Sequence, residues 1–248
     1  MPPHGLVRIL FYHRISDDRD ELAVTPRRFR TQMETIASLG ARGVDLVTAS
    51  TQPPDEADAP RLVGISFDDA YRDVADNAAP VLRALGFSAT VFVPTAVIDG
   101  RSSLSLDPPP LLSWDEVCSL DAEGVLRMEA HSITHPNLLT LAEDAARHEI
   151  AGSREELESR LGRPVTAFAY PAGLAGEREA RLAREAGFVF AFTCEPGLND
   201  ATTDRFTLHR TQIDARDTLL DFRAKLGGGH DASLPLRRLY RRWRFGAR

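Results

Sequence analysis

The chain has 248 residues, of which 43% are hydrophobic and 27% are charged, and its formal net charge is −6. A chain of this length can bury a sizeable core in one α/β domain, and its negative charge makes nucleic acid an unexpected partner. Two cysteines, Cys118 and Cys194, are too few for a disulfide framework. No basic segment followed by an apolar core opens the chain, and no apolar run reaches the roughly 18 residues that a membrane span needs. A cytoplasmic protein is therefore expected.

Alternating apolar segments and capping residues predict an α/β fold along most of the chain. The predicted strands cover residues 8–13, 44–47, 62–65, 89–93, 125–130, 165–170, 188–193 and 206–213. Helices are predicted from Pro26 behind a Thr25 cap, from a capping box at Ser113, and over residues 75–85, 142–161, 177–186 and 218–226. This alternation is typical of a parallel sheet, open or closed into a barrel. We expect one domain, residues 1–230, followed by a basic tail, residues 231–248.

The most informative predicted strand ends in two adjacent carboxylates. Asp68 and Asp69 follow the apolar run 62–65 after a short Ser-Phe step. Two close carboxylates repel each other, so they require a cation, a shared proton or solvent. The alternative is that they begin a loop and cap a helix, because Asp is common in both places.

Other predicted strands also end in unusual residues, namely His13, His131 and the pair Tyr170-Pro171. Functional groups collect at the carboxyl ends of parallel strands, so these side chains and the Asp pair are expected to share one edge of the sheet. His131 and His135 are four residues apart and can therefore lie on one face of a helical turn and bind one metal ion. A carboxylate added to two histidines gives a facial ligand set with open positions for water and substrate.

Three segments together resemble the motifs of the polysaccharide deacetylase family, also known as the NodB-homology or carbohydrate esterase family 4 enzymes. Ser66–Ala70 resembles the family motif Thr-Phe-Asp-Asp-Gly, and His131–His135 matches His-Ser/Thr-x-x-His without gaps. Ala169–Gly173 resembles the third motif, Arg-x-Pro-Tyr-Gly. The order and spacing fit over roughly residues 8–228. The resemblance implies an α/β fold, a distorted (β/α)7-type barrel in a single domain.

The resemblance also implies a metal-dependent hydrolase that removes N-acetyl groups from an amino sugar in a polysaccharide, oligosaccharide or glycan precursor. Asp69, His131 and His135 would hold one divalent transition metal, for which Zn²⁺ is the first choice and Co²⁺, Ni²⁺ and Mn²⁺ are alternatives. Asp68 would be the base for the attacking water, and the backbone N–H of Ala172 would stabilise the oxyanion.

Three positions depart from the family motifs. Ala70 stands for the glycine of the first motif, and Ala172 stands for a tyrosine whose expected contribution is a backbone N–H that alanine keeps. Ala169 stands for the arginine that steadies the catalytic aspartate in the family. Arg210 or Arg14 could supply that positive charge to Asp68 from elsewhere in the fold.

The family's catalytic acid is a histidine that follows an apolar strand, and this chain offers two candidates. His209 lies in the segment Phe206–Arg210, whereas His13 follows Tyr12 at the end of the first predicted strand. The Tyr-His pair resembles the branch of the family that handles poly-N-acetylglucosamine, in which the barrel is circularly permuted and this strand comes first. We therefore favour His13 as the acid that protonates the departing amine, a role that suits a side chain titrating near neutral pH.

Trp114 and Tyr170 are the candidate substrate-binding side chains, because aromatic faces pack against sugar rings. Trp114 follows a long loop, residues 96–112, which contains three consecutive prolines. A loop of this length in a compact domain is often functional. The alternative for Trp114 is a structural contact that fastens the following helix to the barrel.

Other functions stay open at this stage. The chain could remove a formyl or other acyl group from a lipid-linked or nucleotide-linked sugar, or it could be a non-catalytic carbohydrate-binding barrel. The expected partner is a carbohydrate with an N-acylated amino sugar. The tail combines arginines with Leu236, Tyr240 and Trp243, so it could rest peripherally on an anionic membrane surface or remain solvated.

Overall fold

A curled, mainly parallel β-sheet forms the centre of the molecule and carries helices on its outer side. The computed structural model describes residues 7–51, 61–104, 109–229 and 231. The strands are β1 (Val7–Tyr12), β2 (Arg14–Ile15), β3 (Ala23–Val24), β4 (Ala41–Val44), β5 (Arg61–Asp68), β6 (Ala89–Val93), β7 (Leu126–Ala130), β8 (Ala167–Ala169), β9 (Phe190–Phe192), β10 (Leu198–Asn199) and β11 (Thr211–Gln212). The helices are α1 (Pro26–Ser38), α2 (Leu46–Thr51), α3 (Ala79–Leu85), α4 (Thr95–Ile98), α5 (Trp114–Glu123), α6 (Glu143–Leu161), α7 (Glu177–Glu185) and α8 (Leu219–Gly227).

The sheet runs in the order β10-β1-β5-β6-β7-β8-β9, with β4 paired to β5 and β11 paired to β1. These pairs are parallel except for β1 with β10. Leu208 bridges Phe192 of β9, and Thr211 pairs with Leu10 of β1, so one short segment contacts both edges of the curled sheet. The predicted α/β class and the single-domain distorted barrel are confirmed.

Apolar side chains cover both faces of the central strands. Every residue of β6 is buried, and so are the last six residues of β5. Continuous apolar runs of this kind are typical of parallel strands that are covered on both sides. Helices cover the outer face, and a second apolar cluster that includes Ile9, Phe92, Phe192 and Leu208 fills the inside of the curl.

The register of the strands brings polar residues together at the carboxyl edge of the sheet. Tyr12 of β1 pairs with Phe67 of β5, so the residues that follow, His13 and Asp68, lie at neighbouring strand ends. The end of β7, which leads directly into His131, lies two strands further along. The predicted functional residues that follow β1, β5 and β7 therefore lie along one edge of the sheet.

Two predicted strands differ from the structure. The predicted strand 44–47 is wrong, because β4 ends at Val44 and a helix begins at Leu46. Asp45 explains the difference, since its carboxylate accepts hydrogen bonds from the amide and hydroxyl of Thr48 at 3.0 and 2.6 Å and so caps the helix. The predicted strand 206–213 is mostly irregular, with β11 as its regular part.

The end of the described chain is fastened to the first strand. Arg8 is fully buried, and its guanidinium lies 2.7 Å from the Asp231 carboxylate and 2.8 Å from the Thr211 hydroxyl. Asp231, the first residue of the predicted tail, thus contacts the barrel. Residues 232–248, on which the predicted membrane contact depends, lie outside the described residues. Within the described part of the chain, no helix is both long enough and apolar enough to cross a bilayer.

Candidate active site

Asp69, His131 and His135 converge at the carboxyl edge of the sheet. The Nε2 atoms of His131 and His135 lie 3.6 and 3.5 Å from Oδ1 of Asp69. One donor atom from each residue lies within 4.8 Å of the others, so a single cation could contact all three. Asp69 directly follows β5 and His131 directly follows β7, so the sheet itself sets the positions of two of these side chains.

The donor set of this cluster fits a divalent transition metal. Oδ1 of Asp69 is buried and accepts no hydrogen bond from the described residues, which is unfavourable for a carboxylate unless a cation binds it. Nδ1 of His131 donates to the Ala169 carbonyl at 2.7 Å, which leaves the Nε2 lone pair facing Asp69. Burial and the neighbouring His135 lower the pKa of His131 to about 4, so its imidazole is neutral and able to bind a metal at neutral pH.

Asp68 forms a buried, bidentate ion pair with Arg210. Nη1 and Nη2 of Arg210 donate to Oδ1 and Oδ2 of Asp68 at 2.6 and 2.9 Å. Burial by itself would raise the pKa of Asp68, but the positive charge of Arg210, with further contributions from His131 and His13, lowers this pKa to about 2. Asp68 is therefore an ionised carboxylate at neutral pH.

Arg210 stands in for the arginine that the third motif lacks. Ala169 occupies the motif position, and Arg210 reaches Asp68 from a segment 142 residues away along the chain. Arg14, the other candidate support, instead pairs with Asp73 at 3.0 Å. Of the two arginines that the sequence offered for this role, Arg210 therefore has the geometry to support Asp68.

The guanidinium of Arg210 uses all five of its N–H donors. Besides the two bonds to Asp68, Nε donates to the Thr193 carbonyl at 3.0 Å and Nη1 donates to the Ser66 hydroxyl at 3.2 Å. Nη2 also contacts the Cys194 sulfur at 3.6 Å. A guanidinium held at every donor cannot rotate, so the carboxylate that it binds has a fixed orientation.

His13 lies beside Asp68, whereas His209 faces another part of the molecule. His13 is half-buried at the end of β1 and is close enough to Asp68 to influence the pKa of that carboxyl. The His209 ring packs against Gly197, where an added Cβ would lie 2.9 Å from it. The neighbouring residue Arg210 binds Asp68, so these two adjacent side chains have different surroundings.

Ala172 lies in a tight turn that follows β8. Its backbone has φ 54° and ψ 10°, and the residue is exposed. Gly173 follows with φ 69°, and an added Cβ there would lie 2.4 Å from the Cβ of Cys194, so glycine alone fits this position. Ala172 comes three residues after Ala169, whose carbonyl binds His131, so its amide belongs to the same edge as the metal cluster.

The two aromatic residues predicted to bind substrate both have structural contacts. Tyr170 is wrong as a substrate contact, because its side chain is fully buried and its hydroxyl donates to the Phe206 carbonyl at 2.9 Å. Trp114 is partly buried against the core, with the Arg160 guanidinium carbon 4.9 Å from the ring centroid. This packing fits the alternative in which Trp114 fastens α5 to its neighbours.

The sequence matches the model of the family described as "Polysaccharide deacetylase" over residues 55–191, more than half of the chain. The three motif segments, residues 66–70, 131–135 and 169–173, all lie inside that range. The chain belongs to the polysaccharide deacetylase family.

Curated relatives bear names from the same family. A Bacillus subtilis protein, YxkH, named provisionally as a polysaccharide deacetylase, is 27% identical over 206 residues, which cover 83% of this chain and 70% of its own. The poly-β-1,6-N-acetyl-D-glucosamine N-deacetylase of Staphylococcus epidermidis is 25% identical over 210 residues, which cover 80% of this chain and 71% of its own.

Solved structures share the fold. IcaB from Ammonifex degensii superposes with a TM-score of 0.76 at 24% identity, over 90% of this chain and 95% of its own. The Streptococcus pyogenes deacetylase PplD superposes with a TM-score of 0.75 at 20% identity, over 91% of this chain and 99% of its own. The barrel inferred for this deacetylase-family chain therefore recurs nearly complete in proteins of low sequence identity.

A supporting residue of the second motif, Glu149, gives no sign of its role in the sequence. It is one of many acidic residues on the polar helix α6, yet its carboxylate accepts hydrogen bonds from the amides of Ile133 and Thr134 at 2.9 and 2.8 Å. It also accepts from the Thr134 hydroxyl at 2.6 Å. The Ser132 hydroxyl accepts a hydrogen bond from the His135 amide at 3.0 Å. Together with the three bonds to Glu149, four hydrogen bonds hold the loop that carries both histidines.

Part of the predicted functional loop, residues 96–112, lies across the first motif. The Leu112 amide donates to the Ala70 carbonyl at 3.0 Å, and the Arg72 amide donates to the Pro110 carbonyl at 2.9 Å. These antiparallel contacts position the backbone that follows the Asp pair. The described end of this loop therefore pairs with the backbone that directly follows the first motif.

Among the described residues, positive φ outside glycine occurs only in the three motif loops. In the described chain, the residues other than glycine with positive φ are Asp69, Ala70, Ser132, His135 and Ala172, with φ between 54° and 73°. Such a conformation costs roughly 1–3 kcal/mol for each residue and persists only when surrounding contacts enforce it. Ala70 has this positive φ, and the family motif has glycine at the same position. Glycine adopts the conformation without strain, which explains the motif residue.

Replacing Glu149 by alanine should weaken metal binding, because the loop between His131 and His135 loses three hydrogen bonds. We expect the affinity for Zn²⁺ or Co²⁺, measured by competition with a chromogenic chelator, to fall about 10–100-fold. Glu155, an exposed acid on the same helix, supplies the matched control, Glu155→Ala. Equal affinities for the two variants would show that Glu149 does not position the ligands.

Replacing Ala172 by glycine should stabilise the fold, because the residue is exposed and its left-handed backbone suits glycine. We expect the free energy of unfolding in urea to rise by about 1 kcal/mol. Ala145→Gly, at an exposed position of α6, should instead lower this free energy by about 0.5–1 kcal/mol. A loss of stability in both variants would contradict the strain assigned to Ala172.

Proposed function

We propose that this protein is a metal-dependent hydrolase that removes acetyl groups from N-acetylglucosamine units of a polysaccharide. One observation carries the proposal: the buried, unpartnered Oδ1 of Asp69 faces two imidazole nitrogens, directly beside the ionised Asp68. The name of the Staphylococcus epidermidis relative supports N-acetylglucosamine as the sugar.

The proposed ligands are Asp69, His131 and His135, and Zn²⁺ is the proposed metal. When bound there, the metal would supply a Lewis acid for the acetyl carbonyl and lower the pKa of water. Carboxylate and imidazole donors suit this ion, and the Nδ1–H bond of His131 sets the tautomer that leaves Nε2 free to bind it.

The other proposed roles concern proton transfer and charge. Asp68 accepts the proton of the attacking water, in an orientation fixed by Arg210. The N–H of Ala172 donates a hydrogen bond to the developing oxyanion. His13 protonates the leaving amine, and its place next to Asp68 puts the acid and the base at adjacent strand ends.

No contact among the described residues favours the alternative functions. A non-catalytic barrel was suggested by the missing motif arginine, and Arg210 answers that point because it binds Asp68 directly. Nothing in the described residues favours a formyl group or a lipid-linked or nucleotide-linked sugar over a polysaccharide.

Substitutions at the two adjacent aspartates should have different effects on metal binding and turnover. Asp69→Ala should lose the bound metal, whereas Asp68→Asn should keep one metal ion per chain and lose turnover about 10²–10⁴-fold. Metal content is measured by mass spectrometry on protein purified without chelator or histidine tag, and turnover by acetate release from poly-β-1,6-N-acetylglucosamine oligomers.

Asp76→Asn, at an exposed position just after the first motif, controls for loss of a carboxylate in general and should match the wild type. A fully active Asp68→Asn enzyme would remove the base assignment. Wild-type protein that takes up no zinc, cobalt or nickel would overturn the hydrolytic proposal.

Substitutions at the two candidate acids, His13 and His209, should also differ in their effect on turnover. His13→Ala should lower kcat about 10²–10⁴-fold with its metal content unchanged, because the leaving amine loses its proton donor. His209→Ala should stay within a few-fold of the wild type, since its ring packs against Gly197 rather than at the carboxyl edge. The reverse result would assign the general acid to His209 and refute its assignment to His13.

A further inference from the structure

Two side chains from the segment after the first motif hold the backbone that directly follows His13. Oδ1 of Asp73 accepts a hydrogen bond from the Ile15 amide at 2.9 Å, and Nδ2 of Asn77 donates to the Ile15 carbonyl at 2.7 Å. Oδ2 of Asp73 accepts from Nε of Arg14 at 3.0 Å. Both backbone polar groups of Ile15 are therefore bound by side chains that lie about 60 residues further along the chain.

The Asp73 carboxylate does not bind the helical turn that it precedes. An acidic side chain at the start of a helix ordinarily accepts hydrogen bonds from the amides of that first turn. The turn after Asp73 is a π-helix, Val74–Ala78, and the Asp73 side chain forms no bond to its amides. The carboxylate binds the segment after His13 instead. π-helical turns are frequent at functional sites, so the position of this one beside the proposed acid is informative.

The chain is fixed on both sides of His13. Before it, the Tyr12 side chain is fully buried and its hydroxyl donates to Oε1 of Gln32 at 3.0 Å. After it, the Arg14 amide donates to the Leu22 carbonyl at 3.2 Å, and the Arg14 side chain is buried. His13 is therefore the one residue between two firmly bound segments.

The His13 ring has no hydrogen bond to the described part of the chain. It packs edge-on against the Phe11 ring, with 5.7 Å between the ring centroids and 61° between the planes. A histidine that transfers protons is commonly oriented by a carboxylate or carbonyl on its second ring nitrogen. Since no such group binds His13 among the described residues, the neighbouring backbone and Phe11 set the position of its ring.

The contacts of Asp73 also connect the proposed acid to the proposed base. Asp73 follows Asp68 and Asp69 by only a few residues, whereas His13 and Ile15 belong to the start of the chain. The hydrogen bonds to Ile15 and Arg14 therefore fix the segment that carries the acid against the segment that carries the base and a proposed ligand.

We propose that Asp73 is a positioning residue that holds His13 where its imidazolium protonates the leaving amine. This role rests on the proposed function and adds to it a residue outside the family motifs. When the C–N bond breaks, its electron pair stays on nitrogen, which takes the proton of His13 as acetate is released. Asp73 acts through the Ile15 amide and the Arg14 side chain, and a small displacement of the acid lowers the rate of this step.

The test compares an amide substrate with an activated ester. Acetate release from poly-β-1,6-N-acetylglucosamine oligomers requires an amine to leave, and an amine leaves only when it is protonated. p-Nitrophenyl acetate releases a stable phenolate that needs no proton. A displaced acid therefore slows the amide reaction and spares the ester reaction, whereas general damage to the site slows both.

Kinetics are measured on zinc-loaded, full-length wild type, Asp73→Ala, Asp73→Asn, His13→Ala and Asp18→Asn. Asp73→Ala should lower kcat for the amide about 10–100-fold and change kcat/KM for the ester by less than about threefold. Asp73→Asn keeps an oxygen that can accept from the Ile15 amide, so it should lose less and keeps the test valid if the alanine variant does not fold. His13→Ala should show the same selective loss for the amide.

Asp18→Asn is the matched control. Asp18 also binds the Arg14 guanidinium, but its side chain is 62% exposed and it has no contact with Ile15. This variant should match the wild type on both substrates if Asp73 acts by holding the backbone after His13. A selective loss for the amide in Asp18→Asn as large as that in Asp73→Ala would overturn the proposed role.

A second measurement follows the position of the His13 ring without any turnover. In protein with ¹³C-labelled histidine, the His13 ring signals are assigned by their absence in His13→Ala. They should shift in Asp73→Ala and Asp73→Asn, whereas the ring signals of His209, which packs against Gly197, should stay in place. Unchanged His13 signals in both Asp73 variants would overturn the proposal.

The outcomes distinguish the role of Asp73 from the proposed function. An Asp73→Ala enzyme that matches the wild type on both substrates, or that loses equally on both, would overturn the positioning role while leaving the hydrolysis in place. No selective loss in His13→Ala would refute His13 as the acid. Shifted His13 signals in a wild-type protein that releases no acetate from the amide would refute the hydrolysis and leave Asp73 as a residue that fixes His13.

Discussion

The buried ion pair between Asp68 and Arg210 is the interaction on which the geometry of the site depends. Moving two charges out of water is costly, and the cost is offset only when each charge has a close partner and satisfied hydrogen bonds. Here Arg210 uses every donor, and its guanidinium carbon lies 4.6 and 5.1 Å from the ring centroids of Phe11 and Phe92. Removing either partner would leave an unpaired buried charge, which typically costs about 3–5 kcal/mol. The pair therefore links the orientation of the proposed base to the integrity of the barrel.

The motif loops show a second constraint, because their function and their backbone preferences conflict. Asp69 and His135 are both proposed ligands, and both have positive φ, which side chains ordinarily avoid. Contacts from outside the motifs hold these conformations, including the Glu149 carboxylate and the Leu112 amide. Residues remote from the chemistry thus fix the ligand positions.

The curled sheet brings these parts together from distant places in the chain. His13 comes from the first strand, Asp68 and Asp69 from β5, His131 from β7, and Arg210 from the segment that meets both edges of the sheet. The proposed chemistry therefore depends on the pairing of the last strand with the first.

By itself, the sequence determined the α/β class, the helix caps at Thr25 and Ser113, and the three motifs, because periodicity, capping and motif spacing are local properties that survive without knowledge of contacts. The tertiary structure alone decided that Arg210 rather than Arg14 meets Asp68, and that Tyr170 is buried against Phe206. It also decided the place of Glu149 under the histidine loop. These outcomes depend on pairs far apart in the chain, up to 142 residues for Arg210 and Asp68, whose proximity is set by the packing of the sheet and not by any local pattern.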